Sequence, residues 1–75
     1  MSAYKRKIKR NCHQLRFMLD YNIKRRAELT EKHAPVWMLN RYSEEIESLR
    51  NQVALLESEI EYMDAQRRAR KADRT

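Results

Sequence analysis

The 75-residue chain contains no glycine and a single proline, Pro35. Tight strand-to-strand turns depend on residues that tolerate positive φ, so the lack of glycine disfavours hairpins and β-sandwiches. Long helices need no such residues. One cysteine, Cys12, leaves no possibility of an internal disulfide. With only two histidines beside it, a four-ligand structural zinc site would have to borrow carboxylates or a second chain. No metal and no cofactor are therefore expected. No apolar run approaches the roughly 18 residues that a membrane span requires. The basic N-terminal residues are not followed by the apolar stretch of a secretory signal. No membrane partner is expected. A lone thiol fits a reducing compartment, so the chain reads as cytoplasmic.

Disulfides, metals and oligomerisation are the usual supports for chains below about 80 residues, whose own cores are small. With the first two disfavoured, a homodimer or higher oligomer is the expected state.

What the chain has is charge. Charged residues make up 37% of it, and the net charge is +6. The distribution is uneven. Residues 1–26 hold nine bases and one acid, residues 27–64 hold nine acids and three bases, and residues 65–75 hold five bases and one acid. The order is basic, acidic, basic.

Pro35 is the one strong break. It disfavours helical geometry at Ala34 and removes a backbone donor, yet suits the first position of a helix. This predicts a helix over about 4–32, a break near Pro35, a helix over about 36–68, and a basic tail from 69 to 75. The second segment places Leu39, Tyr42, Ile46, Leu49, Val53, Leu56, Ile60 and Met63 at alternating spacings of three and four. That unbroken heptad pattern is the signature of a coiled-coil seam and the expected oligomer core. With Leu39 at a, the a positions are mostly β-branched and two of the d positions are Leu, which suits a parallel pair. The flanking charges do not: Glu45 would meet Arg50 favourably, but Glu59 would meet Asp64. Leu55 and Tyr62, both at c, widen the apolar face beyond a strict two-helix seam, pointing to more than two helices around the core.

In the first segment Ile8, Leu15 and Leu29 share a seven-residue register with Asn22, flanked by Tyr4, Cys12, Met18, Leu19 and Ile23. Asn22 has two readings, a buried register-setting amide or a wet edge. Folding the chain back at Pro35 sets residue i opposite roughly residue 70 − i. Lys9 and Arg10 then approach Glu59 and Glu61, and Lys24, Arg25 and Arg26 approach Glu44, Glu45 and Glu47. This complementarity favours an all-α antiparallel helical hairpin of coiled-coil type, dimerising into a four-helix bundle. One long helix kinked at Pro35 within a coiled coil is the alternative.

No constellation for catalysis is present. A glycine-rich phosphate loop cannot exist without glycine. Cys12 and His13 are neighbours about 100° apart on a helix, which does not suit a nucleophile and its base. Neither an enzyme nor a small-molecule substrate is expected. Cys12 reads as a small apolar side chain. The acidic groups around Glu44–Glu47 and Glu57–Glu61 read as solvated or ion-paired rather than as cation ligands.

The functional lead is the basic ends. Lys5, Arg6, Lys7, Arg10 and Lys24 on the first helix, and Arg67, Arg68, Arg70 and Lys71 near the C-terminus, are candidate contacts to DNA or RNA phosphates. The run Gln66-Arg67-Arg68-Ala69-Arg70-Lys71 is similar in composition to the arginine-rich peptides of lambdoid phage antitermination proteins, a likeness that implies nucleic-acid binding for the tail alone. Phe17 and Tyr21 share a face with Arg6, Arg10, His13 and Lys24, opposite the apolar stripe. They, with Trp37 and Met38 after the break, are candidate contacts to a protein partner. Three functions follow in order. The first is a small nucleic-acid-associated regulator. The second is a phage- or plasmid-type adaptor or inhibitor of a host protein, and the third a structural coiled-coil subunit of an assembly.

Overall fold

The computed structural model describes residues 3–73, which form an antiparallel hairpin of two helices. Helix α1 spans Ala3–Glu31 and helix α2 spans Val36–Asp73. The described residues contain no strand. The expected hairpin is the fold. The second helix runs further than expected, through the basic residues read as a tail, because nothing between Met63 and Asp73 interrupts a helix. Residues 74 and 75 lie outside the described part.

The molecule is a rod with principal extents of 61 × 16 × 15 Å and a radius of gyration of 17.7 Å. A globular chain of this length would have a radius of about 11 Å. At 1.5 Å per residue, the long axis is the length of α2.

All eight heptad residues of α2 are at least half-buried. Ile46, Leu49 and Val53 are buried outright and Leu49, at 2% exposure, most completely. From α1 come Ile8 and Cys12, both buried, with Leu15, Leu19 and Leu29 half-buried. Cys12 thus packs as an apolar residue, with a free thiol. Asn22 is half-buried and donates through Nδ2 to the Met18 carbonyl of its own helix, at 2.7 Å. The hydrogen bond of its Nδ2 is thus made within α1 rather than across the seam.

The register is close to the one expected. Lys5 meets Asp64, and Arg26 Nε donates to Ser43 Oγ at 2.8 Å. The charged partners differ in detail. Across the interface the ion pairs among the described residues are Lys5–Asp64 and Arg16–Glu57, the latter at 2.7 Å. Lys9 and Arg10 do not take Glu59 and Glu61. Arg25 turns to Glu28 of its own helix, and Arg26 goes to Ser43 and the Leu39 carbonyl. Long cationic side chains at the seam's edge bond to whichever acceptor lies within one turn, and helical spacing alone does not rank those acceptors.

The turn is made without glycine. His33 N–H donates to the Thr30 carbonyl at 3.1 Å, and Ala34 N–H donates to the Leu29 carbonyl at 2.9 Å. Those two bonds define a Schellman cap, whose C′ residue occupies the left-handed region. Here that residue is His33, with φ of 57°. Pro35 then stops the first helix and starts the second, its carbonyl accepting from Leu39 N–H at 3.2 Å.

Two outcomes are expected from this arrangement. Leu49→Ala should cost about 2–5 kcal/mol, enough to unfold a small helical hairpin, whereas volume-conserving Leu49→Met should cost less than about 1.5 kcal/mol, both measured by urea or thermal unfolding followed by circular dichroism. His33→Gly relieves the left-handed penalty of a β-carbon, partly offset by glycine's unfolded-state freedom, and should stabilise by about 0.5–1 kcal/mol. That appears as a melting temperature higher by roughly 2–8 °C.

Candidate functional site

The hairpin brings the two basic segments to one end. Helix α1 begins beside the stretch of α2 that holds Asp64, as the Lys5–Asp64 pair shows. The remainder of α2, residues 67–73, extends past Ala3, the first described residue of α1, as a helix about 10 Å long. The heptad register of α2 continues into this overhang, but its next a and d positions are Arg67 and Arg70. The apolar seam therefore ends in arginine where α1 ends.

Arg67, Arg68, Arg70 and Lys71 are all exposed. Arg6, Lys7 and Arg10 are exposed on the first turns of α1 at the same end. Lys24 is exposed too, but lies toward the hairpin tip, remote from the others. Lys5 departs from the expected role. It is 8% exposed, its ammonium engages Asp64, and it is withdrawn from the free cations. A lysine at the inner edge of a helix pair buries its methylene stem and sends its charge to a neighbouring acid. The hint was its place three residues before Ile8, on the apolar side of α1.

Local acids are neutralised rather than clustered. The Lys5 ammonium holds the Asp64 carboxyl below its ordinary value of 3.8, with Lys9 and Arg68 adding to the effect. Tyr4 OH donates to Glu59 Oε1 at 2.5 Å. That bond and the Glu59 charge push the Tyr4 phenol upward. Glu57, bonded to Arg16, raises the Arg16 guanidinium further. No group of three or more His, Cys, Asp or Glu able to hold a metal occurs among the described residues. No helix there is long and apolar enough to cross a membrane.

The aromatic candidates are also placed. Phe17 is 72% exposed and Tyr21 61%, on the outward face of α1 in line with Arg6, Arg10, His13 and Lys24. Trp37 is 59% exposed and Met38 half-buried at the hairpin tip, where they line a groove with Asn22, Arg41, Tyr42 and Glu45. The tip and the cationic end lie at opposite ends of the rod, so the structure brings the basic set together and separates it from Trp37 and Met38. Leu55 and Tyr62, expected to widen the core, are 71% and 62% exposed. They lie on the side of α2 turned away from α1.

Comparison with protein-family models, with curated proteins and with solved structures finds no match.

The Asp64 interaction sets a pH dependence. A carboxyl whose folded pKa is depressed contributes stability above its unfolded pKa and loses it as pH falls through the folded pKa. Thermal stability should therefore drop on acidification below about pH 4, the range in which an unperturbed aspartate takes up its proton. Asp64→Asn should lower the melting temperature at pH 7 and shrink this acid-dependent drop. Identical pH profiles for the two proteins would remove the pair as a contributor.

Proposed function

We propose that this protein is a small, non-catalytic, nucleic-acid-associated regulator that holds DNA or RNA phosphates at the open end of its hairpin. One observation carries the reading: two antiparallel helices converge their exposed cations on a single end. Arg67, Arg68, Arg70 and Lys71 project on the α2 overhang, and Arg6, Lys7 and Arg10 flank it on α1.

Helix electrostatics account for only half of this. Cations in the last turn of α2 suit the negative end of its macrodipole. Cations at the start of α1 face the positive end of theirs, which disfavours the helix by about 0.3–1 kcal/mol per charge at low salt. The first turn of α1 has no acid to offset them. Gathering like charges where they oppose a dipole and repel one another is costly to the isolated fold. An anionic ligand turns that repulsion into binding energy by releasing its counterions.

A second reading rests on the aromatic side chains. Phe17, Tyr21 and Trp37 are each more than half exposed. Exposed rings of this kind suit contact with a protein partner, the adaptor role. Retention of one host protein from a lysate that is lost on Phe17→Ala/Tyr21→Ala, with no binding to nucleic acid at low salt, would favour it.

The nucleic-acid reading is tested by fluorescence anisotropy with labelled RNA and DNA oligonucleotides over a salt series. Affinity should fall steeply between low and physiological salt, and each phosphate-neutralising cation removed should reduce the log–log slope by about one. Replacing Arg67, Arg68, Arg70 and Lys71 together by Gln should flatten the slope by about three to four and cost most of the affinity. Absence of binding at low salt, or a slope unchanged in that variant, would overturn the proposal.

A further inference from the structure

The outward face of α2 carries exposed apolar side chains that nothing in the hairpin covers. Leu55 is 71% exposed and Tyr62 is 62% exposed. At 100° per residue they fall in one line with Ser58, Ala65 and Ala69, at alternating spacings of three and four. All five are exposed and lie on the far side of α2 from the buried Leu49 and Val53. This is a second heptad line, and its last member, Ala69, lies on the overhang, past the first described residue of α1.

We infer that this face binds a second copy of the chain, α2 against α2 and antiparallel, overlapping through the C-terminal half of the helix. The choice of occupant rests on charge and shape. In an antiparallel pair, positions of one seam meet those of the other in opposite order. Setting Tyr62 against the partner's Ala65 sets Ser58 against the partner's Ala69, and each match occurs twice by symmetry. The ring of Tyr62 thus meets a small residue and the Ser58–Ala69 layers are small on both sides, which lets the two helices approach closely. The same register places Glu61 beside the partner's Arg68, again twice. Both side chains are exposed within the hairpin, and among the described residues neither forms a salt bridge, although Arg68 acts through space on Asp64. The acidic stretch of one copy, Glu57 to Glu61, then lies along the basic overhang of the other. A parallel pairing would instead stack the two cationic overhangs. The antiparallel arrangement is isologous and closes on itself, so it forms dimers rather than filaments.

The α1 helices stay on the outer sides of this dimer, and so do the inner-face cations Arg67, Arg70 and Lys71, which point away from the α2–α2 contact. Of the overhang's exposed cations, only Arg68 is drawn into the contact. The dimer therefore leaves the proposed phosphate contacts other than Arg68 open, and it does not depend on them.

Sedimentation equilibrium of the full chain from micromolar to millimolar concentration tests the inference. The wild type should show a reversible dimer. Tyr62→Glu should raise the dissociation constant by at least about tenfold with the helical circular dichroism signal retained, because a central aromatic contact is replaced by a buried charge. Glu61→Arg and Arg68→Glu should each weaken self-association several-fold, and the two variants should pair with one another on mixing. That recovery reports the Glu61–Arg68 contact between copies and needs no assumption about the folding of either variant. A chain that stays monomeric throughout would overturn the inference. So would a dimer indifferent to Tyr62→Glu, one dissolved only by Phe17→Glu/Tyr21→Glu, or charge variants that do not recover on mixing.

Discussion

The structure depends on a single line of interdigitated side chains between two helices, centred on Leu49. A hairpin of two helices has no second layer and no sheet, so every stabilising apolar contact lies on that line. Among the described residues five apolar side chains are buried outright: Ile8, Cys12, Ile46, Leu49 and Val53. Burial of this extent contributes on the order of 1.5–3 kcal/mol per large aliphatic side chain before the entropy of ordering the chain is met. The rod shape, the exposure of both outer faces and the weight resting on each seam residue all follow from that narrow core. It also explains why apolar side chains on the outer face of α2 have no partner within the molecule.

Once the seam sets the antiparallel register, the charges have no freedom to distribute themselves. The basic start of α1 is carried to the basic end of α2, and the acidic middle of α2 runs beside the basic body of α1. Part of this charge is satisfied inside the hairpin, through Lys5–Asp64 and Arg16–Glu57. The rest cannot be, because α2 has 38 residues and α1 has 29. The difference in length leaves an overhang with no acidic neighbour from α1. An unpaired cationic helix end is thus a consequence of helix lengths as much as of composition.

Much of this was legible in the residues. The eight-residue heptad line of α2 and the break at Pro35 belong to local geometry, and both appear where the spacing puts them. The outward Phe17 and Tyr21 followed from the same helical arithmetic. Three features were not legible. His33 adopts a left-handed conformation that glycine would ordinarily supply, and nothing in the flanking residues marks a histidine for it. Lys5 reads as one cation among many until its neighbour across the seam is known. The continuation of α2 to Asp73 was missed because a run of Arg, Lys and Ala is equally compatible with a solvated tail.

The sequence by itself determined that the chain is helical, where it bends and which face of each segment is apolar. Those properties arise from interactions within a few residues, and 3.6-residue periodicity transmits them directly. Tertiary structure decided which acid each cation meets, which lysine is withdrawn from solvent, and how far one helix outruns the other. These depend on side chains some 40 to 60 positions apart in the chain, such as Arg16 with Glu57 and Lys5 with Asp64. Their pairing is set by the relative shift and rotation of two rigid rods, and no local pattern encodes either quantity.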